Sequence, residues 1–234
     1  MKIPIKGLTS KDYAEKLRAL ISPDRARPAQ DVRPGEPQRY ESGETTHFSI
    51  VDGDGNAVAN TYTLNFSYGS GLVADGTGVL LNNELDDFAA KAGAANAYGL
   101  LGGDANAPGR SKRPLSSMSP TIVFKDGKVE LVTGSPGGSR IITTVLQIIV
   151  DVIDYGLNVA EAEGAPRAHD QLWPDELRIE RGMSADTIRL LEAMGHKVVV
   201  QEAMGSASTI ARAPDGELTG TSDPRQRGTL AVGF

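Results

Sequence analysis

The feature that most constrains this chain is an abrupt change of pattern between Glu44 and Thr45. Upstream, SPDRARPAQDVRPGEPQRYESGE carries four prolines among many charges. Such a segment cannot bury enough apolar surface to make a core of its own. Downstream, THFSIVD alternates apolar and polar residues as a half-buried strand does, DGDGN is a strong turn, and AVANTYTLN alternates again. That spacing predicts a β-hairpin. A core therefore starts at residue 45. Residues 1–44 read as the tail of another unit, a short helix plus a linker, and residues 45–234 as one folded domain. A chain of 234 residues is long enough for one such core and short for two.

The remaining elements follow from period and punctuation. Residues 9–21 (TSKDYAEKLRALI) have helical spacing, with Thr9 or Ser10 as the cap. TIVF-KDGK-VELVTG predicts a second hairpin. After SPGG, residues 139–155 form an apolar helical stretch with hydrophobic residues on nearly all sides, so burial all round is expected. SADTIRLLEAMG predicts a helix capped by Ser184 and stopped at Gly195. KVVVQ, STIARA and TLAVGF read as short strands, and PDGE as a turn. Hairpins and helices in this order predict a mixed α+β layered domain.

Composition removes several function classes. The net charge of −6 and pI near 5.2 argue against nucleic acid as a partner, which needs a basic surface. There is no cysteine, so disulfides, thiolate metal sites and cysteine nucleophiles are out. The most apolar run, residues 141–153, is too short to span a bilayer and is interrupted by Gln147 and Asp151, so no membrane span is expected. MKIPIKGLTS lacks the long apolar core of a signal peptide. His47, His169 and His196 have no ligand spacing, so they read as structural, and neither a metal nor another cofactor is expected.

Thr45 stands at the join between linker and first core strand. A threonine hydroxyl is a poor nucleophile alone. Cleavage between Glu44 and Thr45 would place a new α-amine, with an ordinary pKa of roughly 8, within a few bonds of it. Taken alone, the TT pair could equally be an ordinary strand start.

TTHFSIVDGDGNAVANTYTLN, LLNNELDDFAAK, GDANAPGRSKRPLSSMSPTIV and TGSPGGSRIITTVLQIIVDVIDYGLNVAEA together resemble the small-subunit motifs of the γ-glutamyltranspeptidases. KGLTSKDYAEKLRALI and DVRPGEPQRYES resemble the end of the large subunit of that family. The resemblance implies an N-terminal nucleophile hydrolase, a four-layer αββα sandwich of which this chain supplies the small-subunit half. It implies self-cleavage of a zymogen before Thr45, and γ-glutamyl transfer from glutathione and related γ-glutamyl compounds to water or to amino acid and peptide acceptors. By the same resemblance, Thr45 is the nucleophile and Thr63 orients it. Gly137 and Gly138 form the oxyanion hole. Asn65, Glu84 and Asp87 bind the substrate ammonium, Ser116 and Ser117 bind its carboxylate, and Tyr98 is a lid residue. The family also holds that carboxylate with a large-subunit arginine, so a missing large-subunit portion is an expected partner. A periplasmic or secreted location is implied too. Two other readings stand beside this one: a glutaryl- or cephalosporin-acylase-like amidase, and an inactive fragment needing a separate large subunit.

Overall fold

The computed structural model describes residues 6, 9–28, 45–89, 91, 93–96 and 99–234. Tyr98 and Glu44 lie outside the described residues, as does the linker from residue 29 to residue 44. The architecture is α+β, with three sheets among the described residues.

The first hairpin pairs β1 (Thr46–Val51) with β2 (Ala57–Tyr62) in antiparallel register, from Thr46 opposite Tyr62 to Val51 opposite Ala57. Asp52 organises the turn by accepting from the backbone N–H of Asp54 and Asn56, the side-chain-to-backbone bonding that favours Asp in turns. Alternation gives the hairpin two faces. His47 and Thr61 point inward and are buried, whereas Phe48, Ile50, Val58 and Tyr62 are exposed.

A four-stranded antiparallel sheet follows the order β3-β4-β8-β9, built from β3 (Thr121–Lys125), β4 (Lys128–Thr133), β8 (Ser208–Arg212) and β9 (Leu218–Ser222). A bulge between Val123 and Phe124 shifts the β3–β4 register. The hairpin β1–β2 packs against β4, and β1 against β8 as well. Leu131 and Val132 are consecutive and both fully buried, so β4 is covered on both faces. A third sheet joins β5 (Ala168–His169), β6 (Leu177–Glu180) and β7 (Val198–Gln201), with β6 and β7 parallel. Parallel strands need a crossover, supplied here by a helix, α4 (Ala185–Ala193), capped by Ser184.

Near the N-terminus, α1 (Lys11–Arg18) is capped by Ser10 and buries none of its residues. Helix α2 (Arg140–Ile153) packs against α3 (Val159–Gly164) and β5. Its Ile141, Val145 and Ile148 join Leu131, Ile179 and Met204 in the core. Helix α3 carries a capping box between Asn158 and Glu161.

Two expectations are corrected. Helix α2 is not buried all round: Ile142, Leu146 and Ile153 are exposed, because this chain supplies packing partners on one side of the helix only. Residues 229–234 form no strand. The edge beside β8 is taken by β9, a polar LTGTS segment whose pattern gave no strand signal.

A buried charge network joins residues in or flanking β5, β6 and β9. Glu180 accepts from the backbone N–H of Met204 and Arg167, Asp223 pairs with both Arg167 and Arg225, and Arg225 reaches back to Glu180. Charges removed from water require this degree of pairing. The network holds residues 204–207 in place, and there the Ser206 N–H donates to Ser135 Oγ at 3.1 Å.

Candidate active site

Thr45 immediately precedes β1 and Thr63 immediately follows β2, so the hairpin register brings them together just beyond its last pair. The Thr45 hydroxyl donates to Thr63 Oγ1 at 3.2 Å, and Thr63 Oγ1 accepts the Asn65 N–H at 2.8 Å. Asn65 has a φ of 76°, a left-handed conformation that Asn tolerates better than most residues, and it is buried. Its Nδ2 donates to the Asn83 carbonyl, while the Phe66 N–H donates to Asn83 Oδ1. The Asn83 N–H in turn donates to the Leu64 carbonyl. Asn83 thus staples the exit of β2 to the start of a single 3₁₀ turn, Glu84–Asp87.

That turn sets two carboxyl groups three residues apart, close enough for each to perturb the other's titration. Burial raises the pKa of both, and the neighbouring Glu84 charge helps push Asp87 up to about 7. Glu84 Oε1 is buried with no hydrogen-bond partner among the described residues. The pair is therefore poised for a cation, which would let both groups ionise.

Ser116 and Ser117 come from an extended segment leading into β3. The Ser116 hydroxyl accepts the Met118 N–H, and the Ser119 hydroxyl donates to the Ser117 carbonyl. Asn106 pins this segment to the acidic turn: its Nδ2 donates to the Asp87 carbonyl at 2.7 Å and its Oδ1 accepts the Leu115 N–H at 3.0 Å. Asn106 had no signal in the sequence, since an asparagine in a loop is ordinary turn chemistry.

Gly137 and Gly138 lie in the turn that opens α2, with φ of 136° and 58°. Side chains rarely adopt either value, so glycine is required by the backbone path. The Gly138 carbonyl accepts the Ile141 N–H, placing this turn at the positive end of a 14-residue helix.

One pocket collects these groups. Thr45, Thr63 and Asn65 line it with Glu84 and Asp87. Ser116, Ser117 and Gly138 complete the polar part of its lining, and Met118 and Ile141, which the sequence reading did not single out, add apolar surface. Gly137 is adjacent to Gly138 in the chain and does not line the pocket. Hydroxyls, paired acids and a helix N-terminus around one pocket can take a ligand with an ammonium, a carboxylate and a carbonyl carbon. Among the described residues, no group of three or more His, Asp or Glu side chains could hold a metal ion. His47 and His169 are buried with both ring nitrogens hydrogen-bonded.

Comparison with known proteins shows the family. The γ-glutamyltranspeptidase family model matches residues 1–233. A glutathione hydrolase proenzyme of Escherichia coli (strain K12) is 61% identical over 234 residues, which are 100% of this chain and 40% of that protein. The chain therefore spans well under half the length of that relative. A crystal structure of a threonine-to-alanine variant of Helicobacter pylori γ-glutamyltranspeptidase superposes with a TM-score of 0.75 at 57% identity, covering 77% of this chain and 100% of that one. A cephalosporin acylase from Bacillus halodurans superposes with a TM-score of 0.77 at 26% identity, covering 99% of this chain and 40% of that one. A family match over all but the last residue, with an E. coli relative 61% identical along the whole chain, establishes that this chain belongs to the γ-glutamyltranspeptidase family.

Proposed function

We propose that this chain carries the nucleophile and most of the substrate-binding groups of a glutathione hydrolase that acts by γ-glutamyl transfer. The observation that carries the reading is the pocket itself. The Thr45 hydroxyl, hydrogen-bonded to Thr63, faces the same space as the Glu84–Asp87 pair, the Ser116–Ser117 pair and Gly138. Only a ligand with an amino acid end uses the acids and the serines together.

Cleavage between Glu44 and Thr45 liberates the Thr45 α-amine, and the proenzyme status of the E. coli relative supports this step. The amine takes the hydroxyl proton as Thr45 Oγ1 attacks the γ-amide carbonyl. The oxyanion forms near the Gly137–Gly138 backbone at the N-terminus of α2, where N–H donors and the helix dipole stabilise negative charge. The C–N bond then breaks, the amine leaves with the proton, and a γ-glutamyl ester stays on Thr45. Water or an acceptor amine resolves the ester by the reverse proton path. Asn65, Glu84 and Asp87 hold the substrate ammonium and Ser116 and Ser117 its carboxylate; the lid role of Tyr98 rests on the family resemblance, since that residue lies outside the described residues.

Residues 1–44 are read as the end of the large subunit and residues 45–234 as the small subunit. The working enzyme includes a further large-subunit portion, consistent with the 40% coverage of the E. coli relative. That portion would cover the exposed apolar faces of β1–β2 and α2. Placement in the periplasm or outside the cell follows the family resemblance; among the described residues no helix is long and apolar enough to cross a membrane. The acylase reading is less favoured, since identity to the Bacillus halodurans acylase is 26% against 61% for the glutathione hydrolase proenzyme.

The test is Thr45→Ala in the chain expressed with its large-subunit portion. Mass spectrometry of the unsubstituted protein should show a fragment beginning at Thr45, and γ-glutamyl-p-nitroanilide should be turned over. The variant should stay whole and inactive. Turnover that survives Thr45→Ala, or efficient hydrolysis of glutaryl-cephalosporanate in place of glutathione, would refute the assignment.

A further inference from the structure

His47 takes no part in the mechanism above, yet it is buried two residues from Thr45 and bonded at both ring nitrogens. Its Nε2 lies 3.1 Å from Ser49 Oγ, and that hydroxyl gives its own proton to the Ser208 carbonyl at 2.8 Å. Ser49 Oγ must then accept from the ring, which puts the imidazole proton on Nε2. Nδ1 is left as the acceptor for the Thr61 hydroxyl at 2.7 Å. The neutral ring satisfies both bonds, and burial keeps it neutral by lowering its pKa to about 4.

The other side of the ring meets backbone. A Cβ on Gly134 would overlap Cε1, Nδ1 and Nε2 of His47. The Gly134 carbonyl accepts the Ser208 N–H at 3.1 Å. The contacts close on themselves: His47 to Ser49, Ser49 to Ser208, Ser208 to Gly134, and Gly134 back to the ring. This circuit ties the strand that starts beside Thr45 to the Gly134–Gly138 segment.

We propose that His47 is a positioning residue, which by packing on Gly134 sets the distance between the Thr45 hydroxyl and the Gly137–Gly138 backbone. The inference rests on the γ-glutamyl-transfer reading. It separates acylation from substrate capture. Glu84, Asp87, Ser116 and Ser117 sit on segments outside the circuit, so moving the glycines should disturb the transition state more than the bound ground state. Misplacement by about 1 Å can lower a rate about a hundredfold.

The test compares Gly134→Ala, Ser49→Ala, His47→Ala and the His47→Ala/Gly134→Ala double variant, each assayed as the cleaved protein with its large-subunit portion. Gly134→Ala should lower kcat about ten- to hundredfold with KM within about twofold. Ser49→Ala keeps the ring and loses one bond, and it should lower kcat about two- to fivefold. In the double variant the new methyl occupies space vacated by the ring, so kcat should recover above that of Gly134→Ala. Unchanged kcat in Gly134→Ala, an effect confined to KM, or simple additivity in the double variant would overturn the proposal. If Gly134→Ala does not mature, Ser49→Ala decides, and unchanged kcat there overturns it. Absence of γ-glutamyl turnover in the unsubstituted protein would instead refute the underlying function.

Discussion

On the proposed function, the paired acids at Glu84 and Asp87 predict a pH dependence of substrate capture. In the empty pocket burial and mutual repulsion hold Asp87 protonated until about pH 7. A bound ammonium favours the ionised carboxylate, so binding releases a proton, and affinity should rise with pH until Asp87 is ionised in the free protein. With a pKa near 7, the ionised fraction is about 3% at pH 5.5 and about 50% at pH 7. KM for a γ-glutamyl anilide should therefore fall about fifteenfold over that interval, which stays below the range where the substrate amine titrates. Asp87→Asn fixes this position in its uncharged form. KM at pH 7 should rise roughly thirty- to two-hundredfold, matching about 2–3 kcal/mol for a charge partner lost from a half-buried site, and the slope with pH should flatten. The assay is initial-rate kinetics at constant ionic strength, with both proteins checked for complete cleavage. A KM independent of pH in the unsubstituted protein, or the same slope in Asp87→Asn, would refute the reasoning.

Two further predictions concern the frame around the pocket. Glu163, on α3, is fully buried, and burial raises its pKa to about 7. A raised carboxyl pKa gives stability that is fully present below about pH 4.5 and is lost as pH rises through about 7, by up to about 3 kcal/mol. The melting temperature should fall between pH 6 and pH 8, and Glu163→Gln should remove that fall; thermal scans of both proteins check it. Asn106→Ala breaks the two side-chain bonds joining the acidic turn to the serine segment. It leaves the half-buried Asp87 carbonyl and the exposed Leu115 N–H to find new partners, at about 0.5–1.5 kcal/mol, and should raise KM with little change in kcat.

How much of this could be seen in the sequence depended on the kind of signal. The two hairpins were legible because DGDG and KDGK force turns between alternating segments; alternation separates His47 from Phe48 and Ile50, but which face is buried was not legible, since the apolar face is the exposed one in this chain. The caps at Ser10 and Ser184 were legible for the same local reason. Helix α2 misled, because an apolar surface on all sides does not say which molecule covers each side. Strands β5 and β6 were invisible: they bury His169, Arg178 and Glu180, and a pattern of polar residues does not read as a core strand until their partners are known. The pocket residues were named through motif resemblance rather than chemistry, since ELDD or SS alone is ordinary loop composition. The structure brings Thr45, Thr63, Asn65, Glu84, Asp87, Ser116, Ser117 and Gly138 around one pocket. The staples that do this, Asn83 and Asn106, depend on contacts far apart in the chain and left no local trace.

The first ladder pair of the hairpin, Thr46 opposite Tyr62, has a consequence for maturation. Residues 46–51 are clamped by ladder bonds to residues 57–62, so scission between Glu44 and Thr45 would change a covalent link one residue outside the clamp, and the new end would stay tethered beside it by the Thr45–Thr63 bond. The precursor and the mature protein would then share one arrangement of this corner, and the zymogen would be inactive for want of a base and of space rather than for want of shape.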